Sequence, residues 1–179
     1  MPEALQTPRR ATIRVNSALV EPPRQYLAFK LGVESFAMEI TSIKEVIQYG
    51  NLTEVPLMPD FIRGVINLRG SVVPVIDLSV RFARAPTEIV KRTCIVILEV
   101  AHGDDLLTLG IIVDQVEAVL DISNSDIEPA PAFGSTLRSE FLEGVGKVAG
   151  GFVILLDVNH VLSLDELASL PVDAELNAD

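Results

Sequence analysis

Tryptophan is absent from this sequence, aromatic residues make up only 5% of it, and there is a single cysteine, Cys94. A lone cysteine excludes an intramolecular disulfide and any zinc cluster built on cysteine alone. Scarce aromatics leave the interior to Val, Ile and Leu. These are plentiful: 49% of the 179 residues are hydrophobic, enough for a buried core and against disorder. Long apolar runs are also missing. The longest, such as Val72–Ile76 and Phe152–Leu156, reach about five residues, whereas a membrane-spanning helix needs about 20. Arg9, Arg10 and Arg14 precede no apolar stretch, so no secretory signal is visible and a cytoplasmic protein without direct membrane insertion is expected.

Cations are rare in one half of the chain. Residues 1–99 carry twelve Lys or Arg against ten Asp or Glu, while residues 100–179 carry two, Arg138 and Lys147, against fifteen. The halves are therefore +2 and −13, giving the net −11. Phosphate binding needs a concentrated basic surface, so nucleic acid is set aside as a partner. The asymmetry suggests distinct faces for other proteins.

Chemistry-bearing constellations are missing as well. Neither His102, beside Gly103-Asp104-Asp105, nor His160, in the turn from Asp157, has a second ligand at metal-binding spacing. Cys94 falls inside the apolar run Thr93–Leu98 and reads as a small buried thiol rather than a nucleophile. No Ser occupies a nucleophile elbow. Gly144-Val-Gly146-Lys-Val-Ala149 fits the letters of a dinucleotide fingerprint, but that motif must open a helix, and here a strand-like Gly-Gly-Phe-Val-Ile-Leu-Leu follows. No catalytic residue, metal site or cofactor is expected.

What is present is a run of short β-type segments punctuated by Gly and Pro. Strands are expected near 26–31, 35–39, 45–49, 63–68, 72–78, 93–100, 107–113, 117–122, 145–149 and 151–157. Residues 1–24, with four Pro and four Arg, read as a flexible leader. Ser163 and Glu166 form a capping box ahead of Leu164, Leu167 and Leu170, and Pro171 follows, which predicts a C-terminal helix and tail over 163–179.

The chain also repeats itself. Residues 61–78 overlay residues 141–158 without a gap, and six of eighteen positions are identical: Phe61/Phe141, Gly64/Gly144, Val65/Val145, Gly70/Gly150, Val73/Val153 and Asp77/Asp157. Ordinary composition gives roughly one match at a fixed offset. More faintly, Ile43-Lys-Glu-Val-Ile47 faces Val116-Glu-Ala-Val-Leu120. The fold class expected is all-β: two related small barrels, over 25–85 and 86–162, with the first strand free to cross over. In each copy a tight hairpin, apolar on both faces, should lie deep in its barrel, with Pro74 confined to an edge or bulge. Asp77 and Asp157 follow their strands and suit N-caps.

A duplicated pair keeps what the fold needs and differs where each copy has its own partner. Arg69 stands where the second copy has Ala149, Arg63 where it has Glu143, and Glu45 where it has Ala118. These three are therefore candidate partner contacts, and the planar fork of Arg suits interfaces. The bland alternatives are a capping box Ser42-x-x-Glu45 and a solvated hairpin Arg.

Gly64-Val-Ile-Asn-Leu-Arg-Gly-Ser-Val-Val-Pro-Val-Ile-Asp-Leu78 closely resembles the signature of the CheW family of bacterial chemotaxis coupling proteins. Pro59-Asp-Phe-Ile-Arg-Gly, Ile43-Lys-Glu-Val, Gly110-Ile-Ile-Val-Asp-Gln-Val and Pro129-Ala-Pro-Ala-Phe are similar too, so the resemblance runs from about Gln25 to Leu170. It implies two interlocked five-stranded SH3-like barrels with short flanking helices, and a non-enzymatic adaptor. The implied partners are the cytoplasmic tip of methyl-accepting chemoreceptors and the regulatory domain of a CheA-type histidine kinase. Carried over by motif, Glu45 and Arg69 would bind the receptor and Ile43, Arg63 and Gly64 the kinase; the resemblance also implies that the groove between the barrels takes the receptor helices, with Ile40 and Val46 as its receptor-binding lining. Ile43 stands where Val is common and Val46 where Ile is common; both swaps keep apolar character. A related adaptor serving pilus or biofilm signalling, and a barrel enzyme or small-ligand binder, which would need a polar cavity, are the alternatives.

Overall fold

The structure, a computed structural model, describes residues 22–129 and 141–162. Among these, eleven strands run in order: β1 (Arg24–Leu31), β2 (Glu34–Glu39), β3 (Ile43–Gln48), β4 (Ile62–Leu68), β5 (Ser71–Asp77), β6 (Cys94–His102), β7 (Asp105–Val113), β8 (Gln115–Ile122), β9 (Ile127–Glu128), β10 (Leu142–Val148) and β11 (Gly151–Leu156). One-turn helices α1 (Leu78–Arg81) and α2 (Val158–Val161) follow the two repeated hairpins. All ten anticipated strands are present, and the short β9 is additional. The anticipated helix after Ser163 and the leader up to residue 21 lie outside the described residues. The leader's last assigned residue, Arg24, already belongs to β1.

The strands make two SH3-like barrels. One sheet has the order β3-β6-β7-β5-β4 and the other β8-β1-β2-β11-β10-β9, six strands rather than five because β9 adds to its edge. Laid side by side, these orders show a reciprocal exchange. Hairpin β6-β7 occupies in one sheet the place that β1-β2 occupies in the other. Residues 43–113 thus form one barrel contiguously, and residues 24–39 and 115–156 form the other from two pieces. The repeat boundary at 85/86 separates sequence copies but does not divide the sheets. Not one strand but a whole hairpin crosses over, and its counterpart crosses back.

The exchange follows from which hairpins are apolar on both faces. Along β6, Ile95 and Ile97 enter a cluster inside the contiguous barrel, while Val96, Leu98 and Val100 enter a central core between the barrels. Along β1 and β2, Tyr26, Ala28 and Ala37 fill the split barrel, and Leu27, Phe29, Phe36 and Met38 join the same central core. A strand whose successive side chains face opposite sides can be apolar throughout only if both sides are covered. Aromatic rings continue the central core from Phe29 through Phe36 and Phe82 to Phe141, with centroids 6.2, 5.6 and 6.0 Å apart. The β4-β5 hairpin, by contrast, is buried at its base and exposed at its tip, so it does not lie deep throughout: Arg69, Gly70 and Ser71 face solvent.

Repeated residues have repeated jobs. Asp77 N-caps α1 by accepting from the Ser79 amide at 3.0 Å, and Asp157 N-caps α2 by accepting from the Asn159 amide at 3.1 Å. Phe61 and Phe141 each accept the amide of their copy's aspartate, at 2.8 and 2.9 Å. Their rings also clamp the Arg81 guanidinium, 4.8 and 5.1 Å from its carbon, while Arg81 Nε donates to the Val161 carbonyl at 2.8 Å. Pro74 pairs with Val65, whose own N–H and C=O turn to Thr53, and the β5–β7 ladder begins only at Val75. The missing N–H of Pro74 therefore faces a place beyond the end of a ladder, as an edge position requires.

Gly64 and Gly144 are fixed by close backbone approach. A Cβ on Gly64 would sit 2.5 Å from the Thr53 carbonyl oxygen, and one on Gly144 2.5 Å from that of Glu128. We predict that Gly64→Ala and Gly144→Ala each destabilise the protein by about 1–3 kcal/mol in urea denaturation, because backbone rather than a flexible side chain must yield. Gly50→Ala, with nothing within 4 Å, should stay within about 0.5 kcal/mol. Equal effects at all three positions would contradict the close-approach explanation.

Candidate partner-binding face

Strand β3 edges the contiguous barrel, and the β4-β5 hairpin ends at the opposite edge of the same sheet. Its turn places Arg69 at φ 52° and Gly70 at φ 90°, the two left-handed residues of a type I′ turn whose twist matches the strands. Asn67 Oδ1 accepts the Gly70 amide at 2.9 Å and steadies this geometry. Curling of the sheet then brings Arg69 over Glu45. Nη1 donates to Oε1 at 2.9 Å and Nη2 to Oε2 at 2.8 Å, a parallel two-bond fork across the mouth of the barrel. Planar guanidinium and carboxylate match in this way, and lysine does not.

The pair is presented rather than buried: the Arg69 side chain is 67% exposed and Glu45 26%. The capping-box reading of Ser42 and Glu45 therefore fails, because Ile40–Ser42 is a single 3-10 turn and Glu45 sits in the strand beyond it. The hydrogen bonds from Arg69 hold the Glu45 carboxyl below the usual carboxylate range, assisted by the Arg69 and Lys44 charges, and the same bonds raise Arg69.

The remaining candidates do not all share this face. Alternation along β3 turns Val46, 41% exposed, to the side opposite Glu45. Ile40 and Ile43 are partly buried against the central core. Arg63 lies on β4, where its Nη1 donates to Asp77 Oδ2 at 2.6 Å; Asp77 is fully buried and also accepts the Thr87 amide and hydroxyl at 2.9 and 2.8 Å. That guanidinium neutralises a buried carboxylate, a structural task that its sequence contrast with Glu143 did not reveal. Glu143 has its own partners in the split barrel, accepting from the Tyr26 hydroxyl at 3.1 Å and pairing with Arg24 at 3.1 Å; burial and this carboxylate push the phenol up. Gly64 is buried beneath Thr53. Arg81, which ties the two repeated Phe together, carries no signal in the repeat because it lies beyond the overlaid block 61–78.

Cys94 is half-buried at the start of β6, its thiol donating to the Arg92 carbonyl at 3.3 Å, so it is less enclosed than its apolar run suggested. Among the described residues no group of three His, Cys, Asp or Glu side chains is arranged to hold a metal ion, and no helix is long and apolar enough to cross a membrane. Strands β6 and β7 pair as far as His102 and Asp105, leaving a two-residue turn at Gly103-Asp104.

Comparison with known proteins agrees with this architecture. Residues 25–166 match the CheW-like domain family. The chemotaxis protein CheW of Klebsiella aerogenes is 37% identical over 145 residues, covering 81% of this chain and 85% of that protein. That of Rhizobium meliloti is 31% identical over 143 residues, covering 80% and 90%. The crystal structure of the scaffolding protein TtCheW from Thermoanaerobacter tengcongensis superposes with a TM-score of 0.70 at 33% identity, covering 79% of this chain and 88% of that one. The chain belongs to the CheW-like domain family.

A carboxylate lowered by its partner contributes stability above its unfolded pKa of about 4.3 and loses it as pH falls through the lower folded value. In a 13C NMR titration Glu45 should protonate at lower pH than an ordinary glutamate, and Arg69→Ala should move its midpoint back up toward the ordinary glutamate range. An unchanged Glu45 midpoint in Arg69→Ala would show that the fork does not persist in solution.

Proposed function

We propose that this CheW-like scaffold couples the cytoplasmic tip of methyl-accepting chemoreceptors to the regulatory domain of a CheA-type histidine kinase, on the cytoplasmic side of the membrane and without a reaction of its own. The observation that carries the reading is the exposed Glu45–Arg69 fork, which lies within the stretch matched to the family. Glu45 and Arg69 present a rigid, charged, bidentate element to the receptor. Val46 and Ile40 supply apolar contact on the side facing the groove between barrels. Ile43, Arg63 and Gly64 serve the kinase side through the path of β3 and β4. Arg63 holds buried Asp77 and Gly64 admits the Thr53 backbone, so both shape the edge that a partner meets.

A scaffold needs no tight single contact. Several modest contacts made together raise effective affinity through high local concentration. Because the fork is solvent-exposed, breaking it should hardly affect folding.

Capture of a receptor signalling fragment and of a CheA-type kinase tests this directly. Glu45→Lys and Arg69→Asp should each weaken receptor capture about tenfold or more while melting within about 3 °C of the parent. The double exchange Glu45→Arg with Arg69→Glu rebuilds an ion pair of reversed polarity, and capture should remain weak. Restored capture would mean that the pair only closes the barrel mouth, and unchanged capture in the single variants would remove it from the interface.

A further inference from the structure

The two barrels end in mouths that correspond residue for residue. Glu45 pairs with Ile97 in the β3–β6 ladder as Ala118 pairs with Ala28 in the β8–β1 ladder, and both ladders have a one-residue bulge at the same place, at Lys44 and Glu117. The turn Arg69-Gly70 corresponds to Ala149-Gly150. Where the contiguous barrel spans its mouth with the Arg69–Glu45 fork, the split barrel has two alanines. With no fork there, an open groove of about 300 Å³ remains, lined by Ala28, Ser35, Glu117, Ala118, Ala149 and Phe152, among others.

Three features of this groove point to one kind of occupant. Its lining contains a single charged residue, Glu117, and no cation. Glu117 is exposed, and its carboxylate accepts only the Ser35 hydroxyl, at 2.9 Å, among the described residues. At the equivalent position the contiguous barrel carries the opposite charge, Lys44, paired with Glu99 at 3.5 Å. Apolar surface flanks the acid: Phe152 is 65% exposed at the rim although large apolar side chains are normally covered. β8 is also an edge strand, so an extended segment laid there meets unpaired backbone groups.

We infer that the mouth of the split barrel is a docking site for a partner polypeptide segment that presents an arginine beside an apolar side chain. The guanidinium takes the space that Arg69 fills in the other barrel and meets Glu117, and the apolar neighbour covers Phe152. Carboxylate and guanidinium pair with two parallel bonds, which favours arginine over lysine at such a site. The occupant of this groove is independent of whatever meets the Glu45–Arg69 face on the other barrel.

The test is a 15N NMR titration of the full chain with a capped Leu-Arg-Phe tripeptide and with its citrulline analogue, which has the same shape without the charge. The arginine peptide should shift the amides of Ala118, Ala149, Gly150 and Phe152 and bind about fivefold or more tightly than the citrulline peptide. Glu117→Gln should erase that preference, and Ala118→Phe, which fills the groove from an exposed position, should abolish the shifts with melting unchanged. Equal binding of the two peptides, or shifts that survive both substitutions, would overturn the inference. Groove shifts produced in the free chain by replacing Arg9, Arg10 and Arg14 with Ala would assign the groove to the chain's own arginines and overturn it equally.

Discussion

Side chains of β1, β2, β6 and β7 that alternate between a barrel interior and one shared central core tie the molecule together. Each of these strands is covered on both faces, and each hairpin completes a sheet whose other strands come from the opposite half of the repeat. Neither barrel can keep its outward-facing apolar residues dry alone. Val96, Leu98, Leu109 and Ile111 of the contiguous barrel are dry because Leu27, Phe29, Phe36 and Met38 of the split barrel lie in the same core. Burying each such side chain contributes about 1.5–3 kcal/mol, so separating the barrels would expose far more than a domain's usual margin of stability. A scaffold that holds two partners in a fixed relation needs this kind of unitary core.

Duplication then sorts the residues by task. Positions kept in both copies are those the backbone cannot do without: the close-approach glycines Gly64 and Gly144, the capping aspartates Asp77 and Asp157, and the phenylalanines that clamp Arg81. Two divergent pairs, Arg69/Ala149 and Glu45/Ala118, lie at the two mouths. One mouth is spanned by a charged fork and the other is left open beside a lone carboxylate. The same architecture thus offers two chemically different ends, in keeping with a chain whose halves differ in charge by fifteen, from +2 to −13.

Much of this was legible in the letters. The strands, the duplication, the capping role of the two aspartates and the prominence of Glu45 and Arg69 all rest on local chemistry: alternation, turn glycines, and contrast between copies. What was not legible depends on pairing across long separations. The run Ile95–Leu98 is equally apolar whether its hairpin stays with its own half or crosses to the other, so the exchange of hairpins left no mark in any local window. Arg63 stands out by contrast with Glu143, but its bond to the buried carboxylate of Asp77, fourteen residues away, leaves no trace in that contrast. Family resemblance grouped Val46 with Glu45, and strand alternation separates them. The half-burial of Cys94 reflects its place at a strand end, which composition does not encode.

Native-state hydrogen exchange followed amide by amide tests the unity of the two barrels most directly. If the exchanged hairpins make one body, the slowest amides fall in β1, β2, β6 and β7 and share a single opening free energy equal to that of global unfolding. Persistent protection across residues 43–113 while 24–39 and 115–156 exchange at lower cost would show two separable domains and contradict the shared core.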